Sequence, residues 1–489
     1  MSALTSIIPF AADATMTRHV PQRPAEPHTI DLNQLLILDA RDPMAIARRF
    51  ISDNFTVNGR QALHRYREEF FKFSGSCYRA VDNDTMRAEI WSYLASAFKA
   101  ENNGGYTPLK PKKGHVDNVV DALKGACNLD HALETPAWLD NAQGYPPASE
   151  FLPVANGLLH LPTGNLHPPS PLYFGRAASD VPYEANAPEP GEWLKFLDSL
   201  FGDDSASIEL LQDMIGYGLG SETSQQKIML LVGPPRSGKG TIATILKALV
   251  GDNNVVGPTM ASLSQNFGLA ALIGKTVAII GDARIGGRSD QAMIAERLLS
   301  ISGEDTHTID RKFKEPWTGR LPTRFFVMTN ELPRLIDHSG ALANRFVALV
   351  MKRSFLGLED HGLQARLRHE YAGILNWALI GYHRLRERRR FVHAESGLDA
   401  IRDLVELASP VKAFVAEKCE LAGEVKIDDL YRAWFSWCDD NGHEPGAKNT
   451  FGRNLLAAIA GLQKTQLRVN GSLRERFYRG ISLKLEGEP

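Results

Sequence analysis

Gly233-Pro-Pro-Arg-Ser-Gly-Lys-Gly-Thr241 is the stretch that decides the fold of this chain. It follows the apolar run at residues 228–232 and leads into a helix-forming segment at residues 242–250. A buried strand, a glycine loop and a helix, in this order, are the context that a phosphate-binding loop needs. Backbone N–H groups and the helix N-terminus then carry positive partial charge toward the phosphates. The stretch therefore predicts an α/β nucleotide-binding domain.

The residue types in the loop indicate which nucleotide it binds and with which metal ion. Lys239 supplies a full charge at the β- and γ-phosphates of ATP, and Thr241 offers a hydroxyl to Mg²⁺. Ser or Thr usually follows the lysine directly, whereas Gly240 intervenes here, as in many ATPases and kinases. The predicted nucleotide-binding residues are Gly233, Pro234, Pro235, Arg236, Ser237, Gly238, Lys239, Gly240 and Thr241. The alternative is a plain Gly/Pro turn between a strand and a helix.

Length, charge and cysteine content restrict which kinds of site and partner the chain is expected to have. The 489 residues are enough for two to four domains, and the net charge of −2 gives no overall attraction to nucleic acid. Any DNA binding must therefore come from local patches. The four cysteines are far apart and form no Cys-x-x-Cys pair, which argues against a zinc site or a disulfide framework and fits a reducing cytoplasm. No apolar run is long enough to predict a membrane span.

Four regions follow from the local patterns. Residues 1–29 predict a flexible arm, and residues 30–190 a mainly helical domain with a small β element. Residues 191–395 predict the α/β domain, because strands and helices alternate there. Residues 396–489 predict a winged-helix-like domain, in which 410–489 indicate three helices followed by two short strands.

Within residues 30–190 some elements can be predicted one by one. Apolar residues at helical spacing predict helices at 41–54 and 84–99. Aromatic residues and a glycine turn indicate a short hairpin within 62–81. The Asn-Gly and Gly-Asn pairs within 156–165 indicate strand, turn and strand.

A carboxylate is also expected near the phosphates, to help hold Mg²⁺. Asp282 ends a second apolar run and is the candidate, acting through a metal-bound water. Most ATPases have a second acid beside it, but Ala283 occupies that place. Glu304, or its neighbour Asp305, is then the candidate for activating the attacking water. The alternatives are a strand-end turn for Asp282 and a surface loop acid for Glu304.

Two further residues complete the predicted catalytic set. Asn330 ends a third apolar run, where many ring ATPases place an amide that contacts the γ-phosphate or the attacking water. Arg345 suits an arginine finger, which reaches the ATP of a neighbouring subunit and so implies an oligomer. The alternatives are a helix cap or turn before Pro333 and a surface ion pair.

Together these motifs resemble the superfamily 3 helicase module of the phage and plasmid primase-helicases. The matching segments are 233–241 (Walker A), 279–282 (Walker B), 303–314 (the extra motif of this superfamily), 326–333 (motif C) and Arg345. Residues 50–165 resemble, more weakly, the helical domain that precedes the helicase in these proteins and in the poxvirus primase-helicase.

The resemblance implies an AAA+-like P-loop ATPase that forms a hexameric ring and moves 3′ to 5′ on single-stranded DNA. The chain departs from the pattern at Ala283, which leaves the identity of the catalytic base open. It shows neither zinc-ribbon cysteines nor a paired-acid cluster for nucleotidyl transfer. We therefore expect a helicase whose primase or polymerase is a separate polypeptide.

DNA contacts are predicted at two basic sites. Arg311, Lys312 and Lys314 belong to the extra motif, where the family has a hairpin in the central channel, and Phe313 or His307 is placed to stack on a base or sugar. The alternative is an ordinary solvated hairpin. The arginine run at 384–390 favours a solvated helix face.

The second basic site lies near the C-terminus. Arg474 and Arg476 are on the predicted wing, with duplex or origin DNA as the target and a protein-docking wing as the alternative. The tryptophans before it favour a core position over a stacking platform. Two other functions stay open at this point: a P-loop nucleotide kinase, and an initiator or loader that uses ATP as a switch without unwinding DNA.

Overall fold

The computed structural model of the protein describes residues 35–102, 104–140, 144–281, 288–333, 335, 337, 340–469 and 473–484. The chain divides into two compact units. The first consists of Met1–Phe50 with Arg87–Ala126, and the second of Ile51–Met86 with Cys127–Pro489. The boundaries expected near residues 30, 191 and 396 stay a prediction, since compactness separates packing units rather than functional modules.

The described part of residues 35–190 contains three helices and twelve short strands. In chain order they are α1 (Pro43–Asn54), β1 (Thr56–Val57), β2 (Arg60–Gln61), β3 (Leu63–Tyr66), β4 (Glu69–Phe73), β5 (Tyr78–Val81), α2 (Asn83–Ala95), β6 (Phe98–Ala100), β7 (Tyr106–Pro108), α3 (Lys113–Ala126), β8 (Ala137–Trp138), β9 (Phe151–Val154), β10 (Gly157–His160), β11 (Asn165–His167) and β12 (Tyr173–Phe174).

This region is therefore less helical than the sequence indicates. The helices expected at 41–54 and 84–99 are present as α1 and α2. The hairpin expected within 62–81 is a three-stranded sheet, β3-β4-β5, whose aromatic face packs against Phe174. Strands β10 and β11 form the expected strand, turn and strand. The additional strands have two to five residues, too few for an alternating pattern to be recognised.

In the first compact unit, helices α1, α2 and α3 all bury apolar residues. Val116, Val119 and Leu123 of α3 are buried, as are Ile90 and Leu94 of α2. This spacing of three and four residues is the one expected of a helix with one face in a core.

The central part of the chain contains a parallel sheet and its flanking helices. Its elements are α4 (Gly191–Phe201), α5 (Ser205–Leu219), β13 (Ile228–Val232), α6 (Lys239–Val250), β14 (Val255–Val256), α7 (Met260–Ser264), β15 (Val277–Ile280), α8 (Arg288–Ser302), β16 (Thr306–Arg311), β17 (Lys314–Arg320), β18 (Arg324–Thr329) and β19 (Phe346–Val350). Strands β16 and β17 form a separate antiparallel hairpin.

Five of these strands form one parallel sheet in the order β14-β15-β18-β13-β19. Alternate residues of β13 enter different cores: Met229 and Leu231 pack in the core with α4, α5, α6 and α10 (Tyr371–Arg388), while Ile228 and Leu230 pack in the core with α7 and α8. Both faces of the sheet are covered, which explains why the strands are continuous apolar runs. The predicted mixed α/β fold is confirmed, while the AAA+-like assignment stays a prediction.

The C-terminal part is built from short helices and strands. In chain order its elements are α9 (Leu363–Arg368), α10, α11 (Glu395–Ala408), α12 (Pro410–Lys418), β20 (Cys419–Glu420), β21 (Glu424–Lys426), α13 (Ile427–Asp440), α14 (Lys448–Ala458), β22 (Gln463–Val469), β23 (Leu473–Arg479) and β24 (Ser482–Leu483). Strand β23 pairs with both β21 and β22.

Aromatic residues form the core of this C-terminal part. Trp434 and Trp437 are buried against Phe414 and Phe451, so the predicted core position of the tryptophans is confirmed. The three helices and the strand pair β22–β23 are present in the expected order. Their assignment as a winged helix stays a prediction, and the Asn470-Gly471 turn lies outside the described residues.

Two observations bear on the environment of the chain. Among the described residues, we find no helix with the length and apolar character that crossing a bilayer requires. The four cysteines, at positions 77, 127, 419 and 438, are buried and form no disulfide.

Candidate functional site

The loop between β13 and α6 has the backbone shape that its glycines allow. Gly238 adopts a φ of 90°, a left-handed conformation that favours glycine, and α6 begins at the next residue. A Cβ on Gly233 would lie 2.8 Å from the carbonyl oxygen of Met351. The loop therefore turns tightly between the strand and the helix, and its N–H groups and the helix N-terminus are at the carboxyl edge of the sheet.

The outer side of the loop is held by the segment that follows β19. The Phe355 N–H donates to the carbonyl oxygen of Arg236 at 2.9 Å, and the Ser354 hydroxyl donates to that of Pro235 at 2.8 Å. Arg236 also forms an ion pair with Glu359 at 3.5 Å. The loop is thus braced from outside without contact to its lysine. No local signal in the sequence points to these partners, because they lie more than 100 residues away.

Among the described residues, the hydrogen-bond acceptors of Lys239 are all neutral. Its Nζ lies 2.6 Å from the carbonyl oxygen of Gly233, 2.9 Å from that of Pro234 and 3.1 Å from the hydroxyl of Ser237. Burial lowers the pKa of Lys239. No carboxylate among the described residues forms an ion pair with it. The ammonium charge is therefore partly desolvated and uncompensated, which favours an incoming anion.

Asn330 lies beside the lysine. Strand β18 pairs directly with β13, and the Oδ1 atom of Asn330, which follows β18, accepts a hydrogen bond from Lys239 Nζ at 3.1 Å. The expected amide at the end of the adjacent strand is thus in contact with the loop. Thr241 is half-buried in the first turn of α6. Asp282 lies outside the described residues, but β15, which precedes it, ends at the same edge of the sheet as β18.

Arg345 and Glu304 lie at the opposite edge of the sheet. Arg345 ends the turn before β19, and its guanidinium donates to the carbonyl and the side-chain oxygen of Gln226, just before β13. Glu304 accepts a hydrogen bond from the Thr223 hydroxyl, and Gln226 donates to the carbonyl oxygen of Gly303 at 3.4 Å. Because β13 has five residues, this edge is about 15 Å from the Lys239 loop.

The structure therefore does not bring Glu304 or Arg345 to the Lys239 loop of the same chain. This placement suits an arginine finger, which acts on a neighbour's nucleotide. In this position Glu304 does not reach a water at the Lys239 of its own chain. As a catalytic base, Glu304 would therefore have to act on the ATP of a neighbouring subunit, as Arg345 would. Gln226, which holds Arg345, was not predicted; its left-handed φ of 51° is not recognisable from the sequence.

The predicted DNA-binding hairpin, β16–β17, is present. Its tip carries Lys312 and Phe313, and Phe313 is 94% exposed with a φ of 60°. Arg311 and Lys314 flank the tip but are paired with acids of the turn between β3 and β4. Arg311 lies 3.9 Å from Glu68, and Lys314 lies 2.5 Å from Glu69.

His307, also in the hairpin, is less exposed than the residues of the tip. His307 lies in the stem with its ring 3.3 Å from the Ser300 hydroxyl, and burial lowers its pKa. Phe313 is therefore better placed than His307 to stack on a base or sugar.

The other basic segments also contain both exposed arginines and arginines held in ion pairs. Arg476 is exposed on β23, while the side chain of Arg474 lies outside the described ones. The arginine run at 384–390 is only in part the solvated helix face expected from sequence, since Arg386, Arg389 and Arg390 are exposed. Arg384 and Arg388 form ion pairs with Asp213, which is 1% exposed, and so hold α10 to α5. Arg386 pairs with Glu150, just before β9, at 2.8 Å.

Two family models match segments of the chain that contain the elements described above. Residues 110–202 match the model of a family described as D5 N terminal like. Residues 231–345 match a family of unknown function, DUF5906. The second match begins in β13 and ends at Arg345, so it spans both edges of the sheet described above.

Solved structures show a similar fold. The chain resembles the apo structure of the NrS-1 C-terminal region with a TM-score of 0.51, covering 91% of this chain and 100% of that chain at 12% identity. A second structure of that region, its A form, also has a TM-score of 0.51 at 12% identity and covers 90% of this chain and 100% of that chain. At this identity the similarity shows the fold alone.

Proposed function

We propose that this protein is an ATP-dependent DNA helicase of a phage, plasmid or integrated mobile element, which works as a ring oligomer on single-stranded DNA. The observation that carries the proposal is the position of Lys239. Its charge lies in a strand–loop–helix turn, next to Asn330 of the adjacent strand and away from any described carboxylate. A polyphosphate is the ligand that this arrangement suits.

The proposal gives each residue of the sheet edges a role. Lys239 and the loop N–H groups hold the β- and γ-phosphates, and Thr241 with Asp282 holds Mg²⁺. Asn330 orients the attacking water from the neighbouring strand. Arg345, at the far edge, serves the ATP of the next subunit, so the ring, which we propose to be a hexamer, is required for hydrolysis.

The comparisons support a role in replication. The D5 N terminal like match, at residues 110–202, overlaps the region 50–165, whose sequence resembles the domain that precedes the helicase in primase-helicases. The exposed Phe313 and Lys312 at the hairpin tip offer a stacking and a phosphate contact for a single strand, as the resemblance implies. A separate primase or polymerase is the proposed partner.

The test combines ATP hydrolysis with strand displacement. The purified chain should release inorganic phosphate from ATP faster when single-stranded DNA is added, and should unwind a forked duplex. Transfer of phosphate to a nucleotide would identify a kinase instead. DNA binding and ATP binding without unwinding on any fork would replace the helicase with an initiator or loader.

A further inference from the structure

A cavity of about 190 Å³ lies beside the stem of the β16–β17 hairpin. Its walls include the basic residues Arg67, Arg176, Arg311 and Lys314 and one carboxylate, Glu69. Four cations and a single acid thus line one half-open space. Low-dielectric walls of one charge sign focus the field and raise the local concentration of anions.

Arg176 is the cation in this cavity whose guanidinium donors are unused by the described residues, although the charge of Glu69 acts on it. It makes no hydrogen bond or ion pair with any residue of the described ranges. Its guanidinium carbon lies 5.1 Å from the centre of the Phe71 ring, and burial lowers its pKa. A guanidinium has five N–H donors, so a largely buried one needs acceptors that this chain does not provide. The free donors point to a ligand with several oxygen acceptors.

The other cations of the cavity are already engaged. Lys314 pairs with Glu69 at 2.5 Å. Arg67 lies 5.2 Å from the Tyr66 ring centre and 5.1 Å from that of Trp317, and it donates to the carbonyl oxygen of His131. Because Arg67 covers the two aromatic rings, the cavity offers charge and not a stacking face. This excludes a nucleobase as the group that is recognised and favours a phosphate.

We propose that this cavity binds one phosphate group, with Arg176 as its central donor, and that the phosphate displaces Glu69 from Lys314. The group belongs either to a free polyphosphate or to a strand of nucleic acid that continues from the hairpin tip. The second source rests on the proposed function, whereas the anion site itself does not. Glu69 then acts as an internal acid that occupies the site until a phosphate arrives.

The test separates this site from the Lys239 loop. Pyrophosphate is titrated by calorimetry, and a fluorescent oligothymidylate by anisotropy, into Lys239→Ala protein with and without a second change. Arg176→Gln should weaken binding about tenfold or more, because it removes charge-assisted hydrogen bonds. Glu69→Gln should strengthen binding several-fold, because it frees Lys314. A gain in affinity cannot result from misfolding, which keeps the test valid if Arg176→Gln is unstable.

Matched controls are Arg402→Gln and Glu406→Gln, which remove the same charges from α11, outside the cavity. Weaker binding of pyrophosphate alone identifies a free polyphosphate, and weaker binding of the oligonucleotide identifies a strand phosphate. Unchanged affinity for both ligands in Arg176→Gln would overturn the site, and an unchanged Glu69→Gln would overturn the displacement. Absence of ATP hydrolysis in the wild-type chain would remove the proposed function but would not affect these measurements.

Discussion

Lys239 is held ready for an anion by the acceptors around it. Two carbonyl oxygens, a hydroxyl and the Asn330 amide accept its hydrogen bonds, and none of them carries a charge. A phosphate therefore exchanges with neutral partners and does not have to break an ion pair. Buried charged pairs cost more to separate than neutral hydrogen bonds, so this arrangement lowers the barrier to ligand entry.

Lys239→Ala should lower ATP turnover by about a hundredfold or more, since a preorganised charge at the reacting phosphates is lost. The thermal midpoint should change little, because the side chain contributes hydrogen bonds at a loop and no core packing. The measurement is phosphate release at saturating ATP, with Lys247→Ala on the exposed side of α6 as the control. Turnover near that of wild type in folded Lys239→Ala would show that the phosphates bind elsewhere.

His64 predicts a pH dependence of stability. It is 8% exposed on β3, packed near Tyr78 and Phe174, and burial lowers its pKa to about 4. The unfolded chain takes up a proton near pH 6.5, which the folded chain does not. Stability is therefore complete above about pH 6.5 and is lost as the pH falls toward 4, by about 2 kcal/mol at pH 5.

The measurement is the thermal midpoint at pH 7.5 and at pH 5. His64→Phe should reduce the difference between the two midpoints, because the ring no longer titrates, while His361→Phe on the surface should leave it as in wild type. An equal acid sensitivity in His64→Phe would mean that other groups cause the loss.

At the scale of secondary structure, the sequence predicted the features that depend on nearby residues and missed those that depend on distant partners. The glycine loop and the strand ending before Asn330 were recognisable because each lies within about ten residues. The placement of Glu304 was not, since Glu304 lies between α8 and β16, and its position depends on how α8 packs against the sheet. The ion pairs of Arg384 and Arg388 were missed for a related reason: their partner Asp213 is on α5, and no local pattern distinguishes a solvated charge from one paired across two helices.

The basic residues of the β16–β17 hairpin differ in whether an acid of the chain pairs with them. Lys312 at the tip is exposed, whereas Arg311 and Lys314 pair with acids of the same chain. Single-strand binding should therefore depend more on Lys312 than sequence alone indicates. It should also depend on Phe313, whose ring is available for stacking.

Lys312→Ala should weaken binding to a single strand and lower the slope of log affinity against log salt by about 0.7, the value for one lost phosphate contact. Phe313→Ala should weaken binding without changing the slope, because stacking releases no counterions. The measurement is anisotropy at several salt concentrations, with Lys352→Ala on the exposed segment after β19 as the control. An unchanged slope in Lys312→Ala would show that the tip does not contact the phosphates.

For the whole molecule, the sheet separates two sets of predicted catalytic residues. Lys239 and Asn330 are at the carboxyl edge, and Arg345 is at the amino edge, held by Gln226. In this structure about 15 Å of packed sheet keeps the two sets of one chain apart. If both sets are needed for hydrolysis, the active form contains at least two chains, each of which supplies one set to its neighbour.

Mixing two inactive variants tests this arrangement. Arg345→Ala and Lys239→Ala should each be inactive alone, but equal amounts assembled together should recover about a quarter of the wild-type ATPase rate, because one interface in four then joins an intact Lys239 to an intact Arg345. The control mixes Lys239→Ala with the double variant Lys239→Ala/Arg345→Ala, in which no interface has both residues and no activity should return. Normal turnover by Arg345→Ala alone would reject the arginine finger. An absence of rescue in oligomers shown to contain both variants would reject its action on the neighbouring subunit and would require a rearrangement that brings Arg345 to the loop of its own chain.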